Sequence, residues 1–256
     1  MAALGFVGGQ GMSDLITMDD LSNDEILEIL DAAERLLPVA NGDVYAPLLQ
    51  GKVLGNLFFE NSTRTRMSFE SAMKRLGGEV VNLSSVGSSV AKGETLYDTM
   101  QMVDGYSDIA VIRHPRQGAA QYSADAIGIP VLNAGDGAGN HPTQTMLDLF
   151  TIRQAHGTLE GLNVVLVGDL RYGRTTHSLS HALVRFGARL TLVSPDSLRM
   201  PNEIIGDLKS HGADVAETEN FAGSIADADV IYMTRIQKER FPDEDEYTKV
   251  AGIYKM

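Results

Sequence analysis

The segment Phe58-Phe59-Glu60-Asn61-Ser62-Thr63-Arg64-Thr65-Arg66 passes abruptly from apolar side chains to hydroxyls and guanidiniums, then continues as Met67-Ser68-Phe69-Glu70. These residue types bind anions. If the polar cluster opens a helix, its first N–H groups lack intrahelical partners and the helix dipole favours negative charge. Ser62, Thr63 and Thr65 add hydroxyl donors and Arg64 a planar fork, and a phosphate can accept from all of them. The competing reading is structural: Ser62 caps the helix and Arg66 pairs with Glu70 at i,i+4 spacing. Capping and pairing leave both threonines and the second arginine without a task, so phosphate or carboxylate binding is the preferred reading. Arg66 is the most structural member of the cluster.

Further polar groups punctuate the chain: Arg113-His114-Pro115, Asn133 to His141, Gly168-Asp169-Leu170-Arg171-Tyr172-Gly173-Arg174-Thr175, and Met233-Thr234-Arg235-Ile236-Gln237. Taken singly, each arginine reads as a surface residue and His141 as a cap. What they share is position, because each group follows an apolar run of strand type.

The elements that must carry them alternate. Strands are expected at Lys52–Phe59, Glu79–Leu83, Asp108–Arg113 and Ile129–Asn133, with helices at Thr63–Leu76, Thr95–Tyr106 and Ala119–Ala126 between them. Ser22-Asn23-Asp24-Glu25 is a capping box that opens an earlier amphipathic helix ending near Pro38. A second series starts at Leu162–Val167 and runs through helix Thr175–Phe186, strand Arg189–Val193, helix Pro201–His211, a weak strand at Ala213–Ala216 and strand Asp229–Met233. Such alternation predicts α/β architecture: two parallel-sheet lobes covered on both faces, joined by one long helix, His141–His156. The lobes divide as residues 13–142 and 143–256, preceded by a loose Gly-rich leader at 1–12. Ligands of such sheets collect at the carboxyl ends of the strands, where these polar groups lie, so one cleft is expected to gather them.

The 256 residues suffice for two lobes, and 43% hydrophobic with 21% charged residues is ordinary globular usage. A formal net charge of −13 argues against a nucleic-acid partner. An anionic substrate must then be drawn by a local basic cluster. No apolar run approaches the roughly 20 residues of a membrane span. With zero cysteines there are no disulfides or thiolate metal sites, and the N-terminal residues lack the pattern of a secretory signal, so the cytoplasm is the expected compartment. No metal or organic cofactor is expected: there is no His-Glu-x-x-His pattern, and no G-x-G-x-x-G follows the strand ending at Val167.

Ser62-Thr63-Arg64-Thr65-Arg66, Arg113-His114-Pro115, His141-Pro142-Thr143-Gln144 and the Gly168–Thr175 segment, in this order and at these separations, resemble the aspartate and ornithine carbamoyltransferases. Asn61, the Gly168–Thr175 segment and Met233 to Arg240 resemble the aspartate branch. The resemblance runs from about Leu15 to the end of the chain. It implies transfer of a carbamoyl group from carbamoyl phosphate to L-aspartate, giving N-carbamoyl-L-aspartate and phosphate early in pyrimidine synthesis. It also assigns roles: Ser62, Thr63, Arg64 and Thr65 hold the phosphate, while Arg113, His141 and Gln144 address the carbamoyl group. Arg113 and a His141 N–H suit the oxyanion that forms when an amine attacks the carbonyl. Arg174 and Arg235, with Gln237, would take the two carboxylates of aspartate, which call for two separate cationic forks. Arg171 stands where relatives carry lysine.

By composition alone the Ser84–Glu94 loop is a flexible segment with one cation. The resemblance gives Ser88 and Lys92 a place in the active site of a neighbouring subunit, hence a cyclic homotrimer with shared sites, and leaves open a regulatory chain. The chain ends at Met256, before a His-Pro-Leu-Pro-Arg segment that relatives carry, so an incomplete second lobe is expected. Two other readings stay open. Ornithine carbamoyltransferase would share the phosphate and carbamoyl residues but lack the paired arginines, and a truncated homologue could bind carbamoyl phosphate without catalysis.

Overall fold

The computed structural model describes residues 13–84, 88–137 and 139–235. The expected leader, Gln237 and the chain end lie outside them. The chain forms two compact units that divide between Met146 and Leu147.

The first unit is a four-stranded parallel sheet in the order β2-β1-β3-β4, built from β1 (Val53–Phe58), β2 (Glu79–Ser84), β3 (Ile109–His114) and β4 (Val131–Asp136). Strand alternation sends successive side chains to opposite faces. Leu57, Ala110, Ile112 and Val131 pack on one face with Met100 and Val103 of α3 (Leu96–Tyr106) and Ala120 and Ala124 of α4 (Ala119–Ala126). Leu54, Phe58, Val111 and Ala134 pack on the other with Met73 of α2 (Thr63–Arg75). Leu15 bridges to Leu132 at the outer edge of β4.

The second unit is also a four-stranded parallel sheet but with a different order, β7-β6-β5-β8: β5 (Asn163–Val167), β6 (Arg189–Val193), β7 (Val215–Thr218) and β8 (Val230–Met233). Its helices are α6 (Arg174–Val184), α7 (Asn202–Ser210) and the short α8 (Phe221–Ser224). Val165, Val167 and Val193 form a buried cluster with Met233 and Phe221 packed against it. The division between the units falls within α5 (Pro142–His156). Among the described residues no helix is long and apolar enough to cross a membrane.

Several expectations are corrected. The first helix, α1 (Asn23–Asn41), opens on the Ser22–Glu25 capping box as expected but runs past Pro38. Pro38 lies in the last turn: it gives up the i→i−4 bond its N–H would have donated, but its own carbonyl still accepts from Asp43 and Val44, so the helix closes one turn beyond it. Strand β4 extends to Asp136 rather than ending at Asn133, because Asp136 pairs with His114 across a register shift. The Ser84–Glu94 loop contains a 3-10 turn, Ser89–Lys92, closed by Gly93 at φ +95°. Glu70 takes Lys74 as its ion-pair partner, at 2.7 Å, not Arg66. That bond, with a hydrogen bond from Asn82, holds the Glu70 carboxyl below the usual range.

Candidate active site

In the first sheet the chain leaves β1 towards β2 on one side, whereas β3 lies on the other and leads on to β4. The carboxyl ends of β1 and β3 therefore flank a topological switch point, the place where open parallel sheets leave a crevice. Phe58 pairs with Arg113 in register. This brings the Glu60–Arg66 segment and the Arg113–His114 strand end to one sheet edge.

Ser62 occupies the N-cap position of α2 in extended geometry, φ −156° and ψ 110°, yet its side chain makes no capping hydrogen bond. Elsewhere in the same unit the caps are made: the Ser22 hydroxyl accepts from Glu25 N–H at 3.2 Å and the Thr95 hydroxyl from Asp98 N–H at 3.1 Å. Among the described residues, the hydroxyls of Ser62, Thr63 and Thr65 and the guanidinium of Arg64 carry no hydrogen bond or ion pair. The N-terminal N–H groups of α2 are thus accompanied by uncommitted donors. Asn56, fully buried in β1, sets this helix in place. Its Nδ2 donates to the Arg66 carbonyl at 3.4 Å and to Asn82 Oδ1 at 2.8 Å, and Asn82 Nδ2 donates to Glu70 at 3.1 Å.

Arg113 is held from two sides. Its Nη1 donates to the Ala134 carbonyl at 3.1 Å, and its Nε lies 3.2 Å from Glu60 Oε2. The latter two atoms are buried and close, yet misaligned for a hydrogen bond, so the attraction is Coulombic. His114 stacks edge-on to Phe59 and accepts the Arg116 N–H at Nδ1, 3.0 Å, so the neutral ring carries its proton on Nε2. Burial, and then the charge of Arg116, push its pKa down, against the opposing pull of Asp136 and Glu60.

Asp136, also buried, organises the chain that leads to His141. Its carboxylate accepts the N–H groups of Gly118 at 2.8 Å and Asn140 at 2.7 Å, while Asn133 Oδ1 accepts Gly135 N–H at 2.8 Å. His141 is 7% exposed. Its carbonyl receives the N–H groups of Gln144 and Thr145 as α5 begins, and its Nδ1 lies 3.3 Å from the Thr143 hydroxyl. Gln144 is half-buried on the first turn. Ser88 and Lys92 follow the edge strand β2. Lys92 is exposed, and no hydrogen bond or ion pair joins it to Arg113 or to the Ser62–Arg66 cluster.

The second sheet has its own switch point between β5 and β8, with Val167 opposite Met233. Here the packing is tight enough to dictate glycine. Gly168 has φ +114°, and a Cβ there would lie 2.2 Å from the Thr234 carbonyl oxygen. The loop after β5 winds around buried Asp169, whose Oδ1 accepts Tyr172 N–H at 2.9 Å. Arg171 Nη1 donates to the Ser197 carbonyl at 3.3 Å, and its guanidinium lies 5.3 Å from the Tyr172 ring centroid. Arg174, half-buried, is the first residue of α6, and Arg235, exposed, lies just past β8. Both expected carboxylate forks therefore stand at the same end of one sheet.

Sequence reading passed over Glu60, Asn56, Asp136 and the pair Tyr232–Asp148. A carboxylate amid cations at Glu60 and an asparagine inside the apolar Val53–Phe59 run were available signals. Asp136 and the pair had none, since only the fold joins them.

Comparison with known proteins bears on both units. The family model described as the carbamoyl-phosphate-binding domain of aspartate/ornithine carbamoyltransferase matches residues 13–154, and that of the Asp/Orn-binding domain matches residues 160–256. The chain is 56% identical to the aspartate carbamoyltransferase catalytic subunit of Methanococcoides burtonii, over 93% of this chain and 77% of that protein. The solved catalytic subunit of M. jannaschii aspartate transcarbamoylase superposes with a TM-score of 0.89 at 51% identity, covering 96% of this chain and 81% of that one. Aspartate transcarbamoylase of Trypanosoma cruzi, solved in complex with carbamoyl phosphate and aspartate, gives 0.87 at 40% identity, covering 93% and 77%.

Proposed function

Because the chain belongs to the aspartate/ornithine carbamoyltransferase family, we infer that it carries the carbamoyl group of carbamoyl phosphate to the amine of L-aspartate, yielding N-carbamoyl-L-aspartate and phosphate. The observation that carries this reading is the pair of switch points. One is flanked by uncommitted hydroxyls, a helix N-terminus and Arg113; the other is flanked by Arg174 and Arg235. The first suits a phosphoryl anion with an adjoining carbonyl, and the second suits a dicarboxylate.

In the mechanism that follows, Ser62, Thr63, Arg64, Thr65 and the first N–H groups of α2 hold the phosphate. Arg113 and His141 receive the carbamoyl oxygen, and Gln144 orients the carbamoyl NH2. The deprotonated amine of aspartate attacks the carbonyl carbon, and negative charge passes to the oxygen, where Arg113 is already anchored through Ala134. The tetrahedral intermediate collapses by breaking the C–O bond to phosphate, which leaves with the amine proton. Arg174 and Arg235, with Gln237, select the nucleophile by its two carboxylates. We further propose a cytoplasmic homotrimer acting in pyrimidine synthesis, in which Ser88 and Lys92 serve the site of a neighbouring copy. The exposure of Lys92, which forms no ion pair with the described site residues of its own chain, supports this.

The test is direct. Purified protein is supplied with carbamoyl phosphate and either aspartate or ornithine, and the carbamoylated product is measured. Carbamoyl-aspartate is the expected product. Citrulline would assign the ornithine branch, and binding of carbamoyl phosphate without either product would make the chain a non-catalytic binder.

A further inference from the structure

The second unit contains a three-element contact that the reaction chemistry does not use. Tyr232, on β8, donates its hydroxyl to Asp148 Oδ2 on α5 at 3.1 Å. The side chain of Thr175, the second residue of α6, lies near enough to the same phenol oxygen to favour its ionised form. One oxygen thus stands among α5, β8 and the start of α6.

The neighbours of these residues give the contact its meaning. Thr175 directly follows Arg174, and Tyr232 lies three residues before Arg235. Backbone pairing holds the two strand ends in register, since Thr234 N–H donates to the Val167 carbonyl at 2.8 Å and Gly168 packs against Thr234. That pairing fixes the strands but not the start of α6, which is reached only after the Gly168–Gly173 loop. The Tyr232 hydroxyl spans this gap. Asp148 supplies the third point, an anionic acceptor on a separate helix.

We propose that Tyr232 is a positioning residue for the aspartate half-site: its hydroxyl, seated on Asp148 and close to Thr175, sets the spacing of Arg174 and Arg235 so that both forks meet one dicarboxylate. The inference rests on the function proposed above. A site that must engage two carboxylates at once is sensitive to the separation of its cations, whereas a phosphate held in the first unit is not.

The experiment is a steady-state comparison of wild type, Tyr232→Phe, Asp148→Asn, Asp148→Ala and the double variant Tyr232→Phe/Asp148→Ala, with KM determined for each substrate. Tyr232→Phe removes one oxygen and leaves the ring in place. The expected result is a rise of roughly three- to tenfold in KM for aspartate, the size of one lost hydrogen bond, with KM for carbamoyl phosphate unchanged. Asp148→Asn keeps an acceptor and should retain most of the wild-type KM, while the double variant should be no worse than the poorer single one. An equal change in both KM values, no change in either, or additive effects in the double variant would overturn the positioning role. Urea unfolding of each variant separates a loosened site from a lost fold. Wild type that forms no carbamoyl-aspartate would overturn the functional reading itself; active wild type with an indifferent Tyr232→Phe overturns only this inference.

Discussion

Replacing Ser62 by alanine separates two roles that usually coincide at a helix N-terminus. A serine N-cap whose hydroxyl accepts a backbone N–H contributes about 1 kcal/mol to stability. Ser62 holds the cap position of α2 without making that bond, whereas Ser22 and Thr95 make theirs. Ser62→Ala should therefore change the unfolding free energy by under about 0.5 kcal/mol, as surface substitutions do. Thr95→Ala, in the same unit, should cost about 1 kcal/mol. The ranking reverses for ligand binding. A hydroxyl donating to a phosphate dianion makes a charge-assisted bond of about 1.5–3 kcal/mol, so Ser62→Ala should weaken binding of inorganic phosphate or carbamoyl phosphate roughly 10- to 150-fold. Thr95→Ala should leave it unchanged. Urea unfolding gives the first pair of numbers and calorimetric titration the second. If Ser62→Ala loses as much stability as Thr95→Ala while binding phosphate normally, Ser62 is a cap, and the phosphate role built on its idle hydroxyl is wrong.

Gly168→Ala should destabilise the second unit by roughly 2–4 kcal/mol, since its Cβ would lie 2.2 Å from a backbone oxygen at a positive φ; urea unfolding measures the loss. The Tyr232 phenol is pushed up to about 12, by burial and then by the charge of Asp148, above its ordinary value of 10. The folded state therefore favours the neutral phenol. Its contribution is complete below pH 10 and is lost as pH rises from about 10 to 12; stability profiles should show wild type losing more than Tyr232→Phe across that window. Lys92→Ala and Arg113→Ala chains, each inactive alone, should regain partial activity when co-assembled, because some mixed sites would draw both intact residues from different copies. No regain in the carbamoyl-aspartate assay would overturn the shared site.

The strand and helix alternation was legible because parallel strands buried on both faces read as continuous apolar runs. The polar end of β4 was not. Gly135 and Asp136, beyond the strand expected to end at Asn133, read as loop residues, and only burial beside Gly118 and Asn140, whose N–H groups satisfy the Asp136 carboxylate, lets the ladder continue. Pro38 points in the opposite direction: it removes one i→i−4 hydrogen bond, yet the helix carries on through it for a final turn to Asn41.

The candidate ligand groups were legible for a different reason. A helix N-terminus concentrates donors within a few consecutive residues, so Ser62–Arg66 announces its chemistry locally, as do the strand-end arginines. The groups that hold these residues in place have no such constraint. Asn56 reaches Asn82 across 26 residues, and Tyr232 reaches Asp148 across 84. Their effect depends on strand order: Asn56 meets Asn82 only because β1 lies beside β2, and Tyr232 comes near Thr175 only because β8 lies next to β5. Binding chemistry is thus written in contiguous residues and positioning in distant ones. For a reaction that joins two small anionic substrates, the second carries as much weight, since a fork misplaced by about 1 Å can forfeit about a hundredfold in rate without changing any residue that touches the substrate.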